Sequence, residues 1–133
     1  MVTVKWRYNG EEYGVRFTNE RWQQGIDALR SGQFNGCPFC LQDDNDQELC
    51  AECEVGEVAT KMFPEYDYSG TSCCKLRSVL QIWDRAVLLS WRRAREPMKS
   101  ERLTPLYHVI SLMNRALKTG ECRLMARDRG NSK

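Results

Sequence analysis

The chain contains a single histidine, His108, in 133 residues. Metal-ion nucleases and hydrolases built on imidazole need more ligands than one, so His108 is read as a surface or packed residue on a helix. No triad-like motif surrounds any serine or aspartate, and no glycine-rich phosphate loop is present. The longest apolar run, Ala86-Val87-Leu88-Leu89, falls far short of the roughly 20 residues that span a bilayer. The opening residues, Met1 to Trp6, lack the apolar core of a secretory leader, so a cytoplasmic location is expected. In that reducing setting cysteines bind metal more often than they pair. The count of seven cysteines is also odd, which bars complete pairing within one chain.

Two Cys-x-x-Cys pairs are the sharp chemical signal: Cys37-Pro38-Phe39-Cys40, then nine residues, then Cys50-Ala51-Glu52-Cys53. Each pair presents two thiolates from one tight knuckle, and the spacer is long enough to fold back. Four thiolates at tetrahedral corners suit Zn2+, with Cys37, Cys40, Cys50 and Cys53 as ligands. Four such ligands close the shell, so the metal would be structural and its binding energy would be folding energy. An iron–sulfur cluster is a second use of the same four thiolates. A redox role ranks lower. Cys-Pro-Phe-Cys resembles the glutaredoxin active-site motif, but that motif follows a strand, whereas this one follows Gly36 after a helix. Cys73, at a predicted helix start, is an alternate ligand. Cys74 and Cys122 are read as small buried residues.

Hydrophobic periodicity predicts an α+β fold. Val2, Val4, Trp6 and Tyr8 alternate with polar residues, Asn9-Gly10 signals a hairpin turn, and Glu11–Phe17 returns as a second strand. Thr18 or Asn19 caps a short helix over 20–31, with Phe17 and Trp22 stapling its entry and Gly32 ending it. The knuckle segment follows. Residues 54–71 read as mostly irregular, with a helical turn near 55–62. Ser72 caps a long central helix over 73–96, whose stripe includes Leu76, Val79, Leu80, Trp83, Val87 and Trp91, and Pro97 stops it. Thr104-Pro105 starts the last helix and Gly120 ends it. The expected organisation is a single zinc-stabilised domain over 1–126 with a flexible basic tail at 127–133. It comprises an N-terminal β-hairpin plus short helix, a zinc-knuckle segment and two longer C-terminal helices.

The net charge of +2 conceals a marked asymmetry. Residues 43–67 hold one Lys and nine acids, while residues 68–133 hold fourteen Lys/Arg and five acids. Asp43, Asp44, Asp46, Glu48, Glu52, Glu54 and Glu57 form a field larger than a simple hydrophilic spacer requires, which suits docking on a basic protein partner. Arg77, Arg85, Arg92, Arg93, Arg95, Lys99 and Arg102 form the opposite pole. Nucleic-acid phosphates would fit Arg92, Arg93, Arg95, Lys99 and Arg102. The commoner reading is a solvated helix face that complements the helix dipole. Trp91 beside Arg92 could stack a base, but its place in the stripe assigns it to the core.

The run Phe34-Asn35-Gly36-Cys37-Pro38-Phe39-Cys40, with Cys50-x-x-Cys53 and a later Cys73, resembles small bacteriophage-encoded zinc-binding proteins. In these a short helix leads into a Cys-Pro-x-Cys knuckle, a second cysteine pair and a further cysteine before a long helix. The likeness covers roughly residues 20–95. Here the second pair is not followed by Pro, and the stretch after it is longer. The resemblance implies a phage accessory protein acting in the host bacterial cytoplasm, with inhibition of a host system such as a defence complex as its role.

Overall fold

A computed structural model describes residues 1–34, 37–39, 53–66 and 71–127, apart from the side chains of residue 66 and residues 71–74. The fold is α+β, with strands at the N-terminus and helices dominating the C-terminal half. Strands β1 (Val2–Tyr8) and β2 (Glu11–Phe17) pair antiparallel, with Val2 opposite Phe17 and Tyr8 opposite Glu11. Asn9 and Gly10 both have positive φ, 50° and 83°, as a two-residue hairpin turn demands. The alternation in sequence becomes an alternation in burial. Val2, Val4, Trp6, Tyr8, Val15 and Phe17 face the core, while Lys5, Arg7 and Glu12 carry ion pairs on the other side. A third strand, β3 (Glu121–Arg123), lies parallel to β1 on its free edge, giving the order β2-β1-β3.

Helix α1 (Asn19–Ser31) starts as its sequence predicts. Thr18 Oγ1 accepts from the Arg21 amide at 3.1 Å, and the Phe17 and Trp22 rings meet with centroids 5.2 Å apart. Trp22 also donates its indole N–H to the Met113 carbonyl at 2.8 Å, fixing α1 to the last helix. After the knuckle segment comes α2 (Glu54–Met62), a regular helix where a short helical turn near 55–62 was expected, and then a 3-10 turn at Pro64–Tyr66. Tertiary contacts account for its length. Val58 and Ala59 are buried, Trp6 Nε1 meets Met62 Sδ at 3.3 Å, and Tyr8 meets Phe63 edge to face.

The predicted central helix is two helices, α3 (Thr71–Val79) and α4 (Gln81–Arg93). Ser72 therefore lies inside α3 rather than capping it. Leu80, with φ −92° and ψ 76°, leaves helical geometry between them. Backbone bonds bridge the break, from Leu80 to Leu76 and from Asp84 to Leu80, as does an Arg77–Asp84 ion pair at 2.7 Å. The apolar stripe runs on unbroken through this corner, so periodicity alone conceals it. The last helix, α5 (Thr104–Thr119), begins after a 3-10 turn at Ser100–Leu103. Thr104 is its first residue rather than its cap, and its hydroxyl donates to the Glu101 carbonyl. Gly120 ends it at φ 80°. The Arg127 amide bonds to the Val79 carbonyl at 2.8 Å; residues 128–133 of the expected basic tail lie outside the described residues.

The C-terminus of α1 is seated against α4. A helix end leaves its last carbonyls without intrahelical donors. Here the Gly32 amide serves the Ala28 carbonyl at 2.8 Å. Ser90, fully buried, donates to the Leu29 carbonyl. The Arg93 guanidinium donates to the Arg30 carbonyl, and Arg95 Nη1 to the Gly32 carbonyl at 3.0 Å. Gly32 has φ 73°, and a Cβ there would overlap the Ser90 carbonyl and the Ala94 methyl group. Ser90→Ala is expected to cost about 1–3 kcal/mol, because a buried carbonyl loses its donor. Gly32→Ala is expected to cost at least about 1–2 kcal/mol from the left-handed backbone alone. Urea unfolding midpoints check both, and wild-type stability in Gly32→Ala would refute the close seat.

Candidate metal centre

The first knuckle reaches the core through Phe39. Its ring is only 4% exposed and stacks on Phe17 at 4.5 Å, Trp22 at 5.7 Å and Trp83 at 5.7 Å between centroids. These partners come from β2, α1 and α4. Gly25 makes room for the ring, since a Cβ at that position would overlap it. A glycine in mid-helix costs roughly 1 kcal/mol relative to alanine, and the close approach of Phe39 is its physical reason. Cys37, two residues before Phe39, is half-buried.

The second knuckle ends at Cys53, which occupies the N-cap of α2 with extended backbone, φ −76° and ψ 137°. Its carbonyl accepts the Glu57 amide at 3.0 Å. Its thiol lies 3.5 Å from Glu54 Oε1. The positive end of the α2 dipole adjoins this residue, a placement that suits negative charge on sulfur. Arg21, in the first turn of α1, connects the two knuckles. Its Nη2 donates to the Phe39 carbonyl and to Cys53 Sγ, the latter at 3.3 Å, while its Nε donates to Glu54 Oε1 at 2.9 Å. The guanidinium also lies over the Phe39 ring, 5.7 Å from its centroid.

Cys40 and Cys50 lie outside the described residues, so only Cys37 and Cys53 of the expected ligand set can be placed. Among the described residues no group of three or more His, Cys, Asp or Glu side chains is gathered for a metal. The donor chemistry around Cys53 still fits a thiolate–metal site, because a sulfur that accepts an arginine N–H has its charge partly offset. Cys73 lies on the backbone of α3, with its side chain outside the described set. Cys122 is half-buried on β3, and burial pushes its thiol up from the ordinary value, in keeping with a packing role.

The charged candidates divide. Asp43, Asp44, Asp46, Glu48 and Glu52 lie outside the described residues. Glu54 is engaged by Arg21, and Glu57 is exposed. Of the basic set, Arg92 pairs with Glu96 at 2.9 Å, and Arg93 and Arg95 hold the end of α1. Lys99 and Arg102 are exposed. Trp91 departs from its predicted core position: it is 42% exposed, because Ser90 and Ala94 are the residues that α4 turns toward the end of α1, and the Arg95 guanidinium lies 4.1 Å from its ring centroid. His108 is exposed, as expected.

Sequence reasoning missed Arg21, Gly25 and the aromatic partners of Phe39. Gly25 was the available signal, an unexplained glycine between the apolar positions Trp22, Ile26 and Leu29 of one helix. No family model, curated protein or solved structure matches the chain.

Phe39→Ala is expected to lose about 3–5 kcal/mol of stability, the usual effect of truncating a buried phenyl group. Gly25→Ala sets two effects against each other. Helix propensity would gain up to about 1 kcal/mol, while overpacking against Phe39 costs about 1–3 kcal/mol. Net destabilisation is expected in denaturant unfolding, and a stabilised Gly25→Ala protein would rule out this packing.

Proposed function

We propose that the chain is a non-enzymatic, zinc-stabilised interaction protein that binds a macromolecular partner, with protein favoured over nucleic acid. The observation behind this reading is Arg21, which bonds at once to the first knuckle at the Phe39 carbonyl and to the second at Cys53 Sγ. That arrangement suits a metal used as a clasp. With Cys40 and Cys50 completing the ligand set, four thiolates leave no position for a reacting water. Activity then resides in surfaces. The acidic stretch 43–67 begins within the spacer between the two pairs, and a basic protein face is its natural complement. The motif likeness to phage zinc-binding proteins extends the proposal to a phage-encoded inhibitor of a host complex such as a defence system, acting in the bacterial cytoplasm. A membrane partner is not part of it: among the described residues no helix is long and apolar enough to cross a membrane.

Nucleic-acid binding is the second reading, and the exposure of Trp91 is the observation that favours it. The recess that follows α4, lined by Arg92, Glu96, Pro97, Met98, Lys99, Glu101 and Arg102, brings together three cations and two carboxylates. The intramolecular bonds of Arg92, Arg93 and Arg95 weigh against it.

Purified protein is expected to carry one zinc per chain by native mass and metal analysis, and chelation is expected to lower its unfolding midpoint. Absence of stoichiometric metal, with folding unchanged by chelator, would exclude the clasp. For the partner surface, a captured complex is expected to survive nuclease. Replacing Asp43, Asp44 and Asp46 together by Asn is expected to weaken it roughly tenfold and flatten its salt dependence. If binding to single-stranded oligonucleotides is instead tight, falls steeply with salt and disappears in a Trp91→Ala, Lys99→Ala, Arg102→Ala variant, the second reading replaces the first.

A further inference from the structure

We infer that Arg21 is the positioning residue of the thiolate site. It would set the Cys53 sulfur, and the register of the two knuckles, for metal capture and would slow metal release. This rests on the zinc reading above and assigns it a component outside the cysteine motif. The side chain of Arg21 is only 11% exposed, and its guanidinium is held on several edges. Glu54 takes Nε at 2.9 Å, the Phe39 carbonyl and Cys53 Sγ share Nη2, and Gln24 lies 3.5 Å from Nη1. A planar guanidinium fixed in this way presents its donors in one direction, which a lysine ammonium cannot do.

The chemistry of the contact separates a ligand-orienting role from simple packing. A neutral thiol sulfur is a weak acceptor. A metal-bound thiolate keeps lone pairs and negative charge, so the N–H bond from Arg21 strengthens when metal arrives. Cys53 Sγ also lies 3.5 Å from Glu54 Oε1, the carboxylate that Arg21 holds at 2.9 Å, so Arg21 aims the sulfur both directly and through Glu54. The backbone also prepares the position. Arg21 contributes the amide that Thr18 caps, so the first turn of α1 is rigid where it meets the site. On the same helix Trp22 and Ile26 are buried, leaving Arg21 beside the core rather than in it.

The test uses the full chain loaded with Zn2+ or Co2+, comparing wild type with Arg21→Met and Arg21→Lys. Arg21→Met is expected to bind one metal but release zinc to a chelator roughly 10–100-fold faster, the usual consequence of removing an outer-shell partner. It is also expected to shift the sulfur-to-cobalt charge-transfer band. Arg21→Lys is expected to recover only part of the retention. A folded Arg21→Met protein with wild-type release rate and cobalt spectrum overturns the inference, even if its unfolding midpoint falls. If Arg21→Met does not fold, Glu54→Gln decides, because it loosens the guanidinium without removing it: faster zinc release supports the inference and an unchanged rate overturns it. Wild-type protein that binds neither zinc nor cobalt fails the metal reading itself and takes this inference with it, a result distinct from metal bound equally well without Arg21.

Discussion

The Phe39 ring occupies a slot that no single element of the fold could form. Phe17 comes from the hairpin, Trp22 and the Gly25 notch from α1, and Trp83 from α4. Burying a phenyl group among three aromatic rings contributes area and ring-to-ring attraction together. It also ties the start of the first cysteine pair to the hydrophobic core, since Cys37 packs against it and Cys40 is the next residue in sequence. A metal bound by those cysteines would be anchored to the packing of three elements. Conversely, any strain at the metal would be felt at Trp22 and Trp83. The corner at Leu80 belongs to the same constraint, because it sets the direction in which α4 leaves α3 and so where Trp83 and Ser90 arrive.

The seat of α1 on α4 explains why the basic pole of the sequence is less available than its charge implies. A run of arginines near a helix C-terminus is ordinarily assigned to that helix's own dipole. In this fold Arg93 serves the carbonyl end of α1, Arg95 divides its Nη1 between the Gly32 carbonyl at 3.0 Å and the Trp91 carbonyl of α4 at 2.8 Å, and the buried Ser90 hydroxyl completes the arrangement. The formal charge remains, but part of the guanidinium donor set is already engaged by backbone carbonyls. A phosphate ligand would have to compete with backbone carbonyls already in place. Lys99 and Arg102 are under no such demand among the described contacts, and Trp91 stands exposed near them in sequence.

Local signals were read correctly where local physics decides. The hairpin needed only alternation and a turn that accepts positive φ at Asn9 and Gly10. Helix α1 needed only Thr18, an aromatic staple and Gly32. Expectations gave way where distant residues decide. The three residues of β3 carry no alternation of their own, and they become a strand because Thr3 and Lys5 offer an open edge. Trp91 kept the helical spacing of a core residue, but α4 turns Ser90 and Ala94, not Trp91, toward the end of α1. The cysteine spacing is enough by itself to raise the metal reading. Arg21 is one of twenty basic residues, and only the folded chain brings it to Cys53, 32 positions away.

A closed thiolate site has an electrostatic consequence for whatever it displays. Four thiolates with one divalent metal keep a net negative charge, and the spacer between the pairs adds Asp43, Asp44, Asp46 and Glu48 within nine residues. Closing that spacer on a metal would concentrate like charges and raise their mutual repulsion. Arg21 offsets part of this at Cys53, although its ion pair with Glu54 limits what it can give to sulfur. A basic partner docking on the spacer would relieve the remainder. By linkage, a ligand that favours the closed form tightens metal binding as much as metal tightens the ligand. On the proposed reading, metal retention and partner binding would therefore be coupled through charge without the partner touching the metal.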